Sequence, residues 1–437
     1  MQNKSPLFSV HKFGGASVVD ADAVRNVAKI LITHVDSPAV VVVSAMGKTT
    51  NALEKVFSIL NSKGIIEAQT ELSIIISSHI QIAKELEIDL EIEETLRDVF
   101  NSALDEALEH EDVDARYDAL VAAGEFASTR ILEGYLRKLS FYVEWWDVRD
   151  VISTDERHRC ARVDEGSIFE KGEALRKSLS GATIASSDSS PSQRIIVTQG
   201  FIGRSSNGRT TTLGREGSDY SAALLARAIE SKEVVIWKDV PGMLNADPKV
   251  FSNTVTVTEL DYEEALELSY YGASVIHPRT IKPLQNEGIP LYLRSFIDLG
   301  SPITRVGFYP GQKPSVPMYI SRHNVVRLSL GPSDRSFVGE DHLSTVFGAL
   351  NSSGIHIRMM QNSAIQFDLV FDEDSEKLKR FVGALEKGFW TKTTKALDLL
   401  TVRHGSEDLI TELTAGRQVL MEQKCPTTVR RLLAKVS

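Results

Sequence analysis

The sequence predicts an α/β unit built on a mainly parallel sheet with helices on both faces, followed by small ferredoxin-like modules. Three observations predict it. Strand-like and helical runs alternate through the first part of the chain. AVVVVSA (39–45) is a β-branched run suited to a strand buried on both faces. Past residue 317 the order becomes strand, helix, strand, strand, helix, strand.

Taken in order, FSVHKF (8–13) reads as a strand, DADAVRNVAKILITHV (20–35) as a helix and 39–45 as the next strand. From about Asn51 to Lys138 the pattern stays helical, too long for one crossover, so an excursion of several helices is expected over 51–138. Strands resume at FYVEWWD (141–147), RIIVTQGFIG (194–203), EVVIWKD (233–239) and IPLYLRS (289–295). DYSAALLARAIE (219–230) is the helix between two of them, and 180–192 and 203–209 read as surface loops. PGQKPSVP (310–317) reads as a linker between a unit at 1–309 and a second at 318–437. Beyond it, 324–331 is a strand, 342–354 a helix ending at Gly354, and IHIRMM with IQFDLVFD a strand pair. Residues 374–388 read as a helix and 395–405 as a strand. A further helix and two strands supply part of a second module.

Composition bounds the partners. The 437 residues are 42% hydrophobic and 25% charged, the profile of a water-soluble globular chain of two to four domains. A net charge of -10 argues against non-specific nucleic-acid binding. No apolar run reaches the ~20 residues that cross a bilayer. MQNKSPLFSV does not read as a secretory signal, and Cys160 and Cys425 match no redox or metal spacing, so a cytoplasmic location is expected.

Several strings carry chemistry. In KFGGAS (12–17) a lysine ends a strand and two glycines open a helix, an arrangement that offers N–H donors and a positive charge to a phosphate. A tight turn with an incidental lysine is the plainer reading. GRTTTLGREGSDYSAALLA (208–226) gathers three threonines, Arg215 and Asp219 before a helix, enough to hold phosphate, carboxylate and metal together. Capping accounts for Ser218 or Asp219 singly but not for the whole string. In IWKDVPGMLNADP (236–248) Pro241 and Gly242 suit a turn at a strand end, where open α/β sheets bind ligands. Glu125 in AAGEFAST (122–129) is either an ammonium reader or a solvated helix residue. SAMGKTT (44–50) lacks the first glycine of a P-loop, and DERHRC (155–160) lacks the aspartate of a protein-kinase catalytic loop. His277, before Pro278, reads as a helix-start residue.

Together KFGGAS, VVSAMGKTTN, GEFAST, QGFIG with the glycine-threonine string, IWKDVPGMLNADP and YGASVIHPRT resemble the aspartate kinases of the amino acid kinase family. The tail resembles their ACT modules, which feel small molecules and pair subunits. The resemblance implies the amino acid kinase fold and the reaction ATP plus L-aspartate to ADP plus 4-phospho-L-aspartate, the first step toward lysine, threonine and methionine. It implies Mg²⁺ with ATP, a dimer or higher oligomer through the ACT modules, and lysine or threonine as effector. Lys12, Gly14 and Gly15 would bind the transferred phosphate. Ser44 and Thr50 would line the site, Glu125 would hold the ammonium of aspartate, and Arg215 its α-carboxylate. Asp219 would order the phosphate-binding lysine and the metal. Lys238, Asp239, Leu244, Lys249 and Ser274 would lie around the nucleotide. Glu216, Lys238, Leu244, Lys249 and Ser274 depart from the usual family residues, mostly on the nucleotide side. The rival readings are another kinase of this family, for glutamate, acetylglutamate, carbamate or a nucleotide, and an inert amino-acid sensor.

Overall fold

A computed structural model describes residues 8–35, 38–88, 90–180, 194–273, 276–385 and 388–435. The chain divides into two compact units. The first holds Met1–Met243, Thr256–Ser269 and Ser274–Gln312, and the second holds Leu244–Val255, Tyr270–Ala273 and Lys313–Ser437. The longest stretch of the second unit begins at Lys313, and two short strips of the earlier sequence belong to that unit as well.

The first unit is centred on an eight-stranded sheet. Its order is Glu259–Asp261, Thr304–Gly307, Leu291–Ser295, Glu233–Lys238, Ser9–Phe13, Ala39–Val43, Arg194–Gln199 and Tyr142–Trp146. Every neighbouring pair is parallel except Leu291–Ser295 with Thr304–Gly307. Ala39–Val43 is buried at all five positions, as its unbroken β-branched run demands. The helical excursion resolves into Thr49–Ser62, Ile65–Glu85, Glu91–Glu109 and Val113–Lys138. Their apolar faces join Ala39–Val43 and the helix Ala21–His34 in one core.

One expected strand is two. The run 194–203 breaks at Gly200–Phe201, where Phe201 takes a left-handed φ of 71°. The chain then leaves the large sheet, and Ile202–Ser205 pairs with Thr210–Thr212 and Ser153–Thr154 in a three-stranded sheet. Of the expected loop 203–209, the first three residues are therefore strand. The expected loop at 180–192 lies, beyond Ser180, outside the described residues.

The second unit carries a six-stranded antiparallel sheet ordered Ile357–Asn362, Phe367–Asp372, Met318–Pro332, Phe389–Arg403, Thr428–Ala434 and Val419–Cys425. The first four strands, with helices Glu340–Ser353 and Ser375–Leu385, have the neighbour order of a ferredoxin-like module. Both central strands run 15 residues and serve two modules. Met318–Arg322 pairs with Leu399–Arg403, so the second module takes an edge from sequence preceding the whole first module.

Candidate active site

The turns after several parallel strands meet at the carboxyl edge of the large sheet, where an open α/β sheet places ligands. Lys12 lies one residue before the end of Ser9–Phe13, and Lys238 ends the adjacent parallel strand Glu233–Lys238. Asp219, in the first turn of the helix Gly217–Ala228, stands between them. Its Oδ1 is 2.6 Å from Lys12 Nζ and its Oδ2 is 3.4 Å from Lys238 Nζ. Burial alone would raise the Asp219 carboxyl. The two ammonium groups outweigh burial and hold it below the usual carboxylate range.

The first two strand-end turns are locked together. Ser44 N donates to Phe13 O at 3.1 Å, and Gly47 N donates to Gly15 O at 2.9 Å. A Cβ on Gly15 would lie 2.6 Å from Ala45 O and 2.8 Å from Gly47 O, so only glycine permits this approach.

Glu125 comes from the long helix Val113–Lys138 and is 3% exposed. Ala45 N donates to its Oε1 at 3.4 Å, while Oε2 is buried without a hydrogen-bond partner. Loss of hydration pushes its carboxyl up to about 8, and the Ala45 N–H offsets only part of this. The solvated-glutamate reading therefore fails. A buried, half-satisfied carboxylate is poised for a cation.

These groups line one cavity of about 570 Å³: Lys12, Gly15, Ser44, Thr50, Glu125, Arg215, Asp219 and Lys238 all face it. Tyr117, Arg159, Phe201 and Glu216 also line it, and the sequence pattern pointed to none of them as a substrate contact. Glu216 has a left-handed φ of 54°, and its Oε2 is buried without a partner. Gly14 caps the short turn Gly15–Val18 and is not among the lining residues, and neither is Asp239, just past the strand end. Leu244 and Lys249 lie on the 244–255 strip of the second unit, and Ser274 lies outside the described residues. His277 caps the helix Pro278–Glu287, its ring accepting from Arg279 N at 3.2 Å.

The sequence model of the amino acid kinase family matches residues 8–295. The lysine-sensitive aspartokinase 3 of Escherichia coli is 33% identical over 369 residues, 83% of this chain and 78% of that enzyme. The chloroplastic aspartokinase 1 of Arabidopsis thaliana is 31% identical over 371 residues, 83% of this chain. The chain spans only 63% of that enzyme's length. Among solved structures, E. coli aspartokinase III in complex with aspartate and ADP superposes with a TM-score of 0.81 at 28% identity, covering 98% of this chain and 96% of that one. The same enzyme in complex with lysine and aspartate gives a TM-score of 0.79.

Proposed function

The chain belongs to the amino acid kinase family, and from that premise we propose that it transfers the γ-phosphoryl group of ATP to the side-chain carboxylate of L-aspartate. The products are ADP and 4-phospho-L-aspartate. One observation carries the reading. A Lys12–Asp219–Lys238 cluster and a buried carboxylate with a vacant oxygen, Glu125, face the same cavity.

The chemistry follows from the charges. The acceptor carboxylate is already ionised at neutral pH and needs no general base. The difficulty is to bring two anions together, and phosphoryl transfer is mostly positioning and charge stabilisation. Lys12 neutralises the transferring group, while Asp219 holds Lys12 and Lys238 in place. Glu125 takes the ammonium of aspartate and Arg215 its α-carboxylate. Ser44 and Thr50 line the acceptor end, and Gly15 allows the backbone to approach the phosphate.

Mg²⁺ fits this site as a companion of ATP. No cluster of three metal-ligand side chains exists among the described residues, and Mg²⁺ on a nucleotide keeps waters and takes one or two carboxylates. Asp219 and Glu216, which both line the cavity, are the carboxylates that would meet it. The ion would supply positive charge to the phosphate oxygens.

The second unit reads as an ACT-type region that pairs subunits and binds lysine or threonine. Its ferredoxin-like order and the lysine complex of the E. coli enzyme support this. No described helix is long and apolar enough to cross a membrane.

A coupled ADP-release assay across aspartate, glutamate and acetylglutamate tests the function. Turnover with aspartate alone is expected. Turnover with glutamate or acetylglutamate but not aspartate would move the chain to another branch of the family, and none with these three would leave a carbamate or nucleotide kinase or an inert sensor and overturn the aspartate reading.

A further inference from the structure

The motif DERHRC matched no catalytic loop, yet its Arg159 lines the cavity. We propose that Arg159 is a second arginine for the acceptor's α-carboxylate, acting beside Arg215. The proposal rests on the reading of this cavity as an amino-acid site.

The loop is built to deliver that side chain. Its base is closed by Asp155 N donating to Arg162 O at 2.8 Å and Ala161 N donating to Thr212 O at 2.9 Å. Its tip is pinned by Asp118, fully buried on the helix that also carries Glu125. Asp118 accepts from Arg159 N at 3.0 Å, His158 Nδ1 at 2.9 Å, Thr212 N at 3.1 Å and Thr212 Oγ1 at 2.6 Å. Thr212 leads directly into Leu213, Gly214 and Arg215. One buried carboxylate therefore fixes both arginine-bearing segments. They touch as well, since a Cβ on Gly214 would lie 3.2 Å from Arg159 O.

The side chain is aimed. The Arg159 guanidinium lies over the Tyr117 ring at 4.2 Å, and its Nε is 2.5 Å from Asp114 Oδ1. Asp114 engages the Nε edge, and the terminal Nη pair is a fork with which arginine grips a carboxylate bidentately. Arg159 also holds a left-handed φ of 62°, a conformation that disfavours any residue with a Cβ. Strain retained at a cavity wall points to a job for the side chain. Asp114 and the aromatic ring offer a rival reading, in which Arg159 merely packs the loop.

The test varies the enzyme and the substrate together. L-Aspartate is compared with its α-amide, which keeps the ammonium and the β-carboxylate but lacks the α-carboxylate charge. Wild type is expected to prefer aspartate strongly. In Arg159→Ala and Arg159→Gly that preference in kcat/KM should shrink by about tenfold, the loss expected when a charged hydrogen bond is removed at a side chain that is 43% exposed in the free protein, with the KM for ATP within a factor of about two. Arg159→Gly relieves the left-handed backbone, so it should melt no lower than wild type and keeps the test valid if the alanine variant unfolds. An unchanged preference in the folded glycine variant overturns the proposal. If wild type does not phosphorylate aspartate at all, it is the proposed function that fails instead.

Discussion

At the scale of the residue, Glu125 gives the sharpest prediction. Its carboxyl is pushed up to about 8 by burial, so below that pH it mostly carries a proton. An ammonium pairs with the carboxylate form, and binding must then expel the proton. Affinity for aspartate should therefore rise with pH, by roughly tenfold per unit below about pH 7, and level off above about pH 8. Calorimetry in buffers of different ionisation enthalpy should detect nearly one proton released per aspartate bound near pH 6.5. Glu125→Gln should bind weakly and without that pH dependence. A flat wild-type profile with no proton released would remove Glu125 as the ammonium partner. Lys12 makes a different claim. Lys12→Ala should cut kcat by roughly a hundredfold or more, the cost of losing a transition-state charge contact, while Lys238 still pairs with Asp219. A folded variant with near-normal turnover would take Lys12 out of the mechanism. Lys12, Asp219 and Arg215 were legible because each sits in a short string whose local geometry serves anions. The burial of Glu125 was not legible, because its neighbours Ala45 and Thr50 come from sequence about 75–80 residues away.

At the scale of the element, the helix Gly217–Ala228 connects the site to the rest of the unit. Asp219 stands at its start and Ala228 at its end. The helix Ile168–Ser180 packs against that far end through Gly172. A methyl there would lie 2.8 Å from Ala228 Cβ and 2.9 Å from its carbonyl carbon. Gly172→Ala should therefore destabilise the protein by about 1–3 kcal/mol, the usual cost of overpacking. Asp219 lies nine residues away, about 13 Å along the helix axis at 1.5 Å per residue, so kcat should stay within about twofold. A thermal melt with a parallel activity assay decides this, and an unchanged melting temperature would contradict the close packing. The run 194–203 shows why elements are misread. Its composition remains strand-like through the break, and what redirects the chain is the Gly200–Phe201 turn. A Cβ on Gly200 would fall 2.5 Å from Ser218 Cβ, a contact that sequence order does not announce.

At the scale of the whole molecule, the two strips of the second unit make truncation more than a loss of regulation. Tyr319 N donates to Asn245 O at 2.8 Å, and Asn245 Nδ2 donates to Pro317 O at 3.1 Å. Arg322 Nε donates to Tyr271 O at 3.1 Å, and the Arg430 guanidinium lies 4.9 Å from the Tyr271 ring centre. A chain ending at Gln312 leaves 244–255 and 270–273 without the body they pack on. Such a truncation should melt lower than the full chain. If Leu244 and Lys249 on the 244–255 strip contact the nucleotide, it should also raise the KM for ATP more than the KM for aspartate. The full chain should respond to added lysine or threonine and sediment as a dimer or larger, and the truncation should do neither. A truncation that matches the full chain in melting temperature, both KM values, effector response and sedimentation would leave the second unit without this role.

The sequence by itself determined most of the element types, the parallel core, the ferredoxin-like order after the linker and the short strings that carry the candidate site residues. These follow from local periodicity and from residues that meet within one turn. Only the tertiary structure decided which strings share a cavity, that Glu125 is buried with an oxygen unpaired, that Asp118 ties Arg159 to the Arg215 loop, and that 244–255 and 270–273 belong to the second unit. The reason is physical. A carboxylate's protonation, a left-handed arginine's usefulness and a strand's partner all depend on desolvation and contacts between segments far apart in the chain, and local pattern does not encode those.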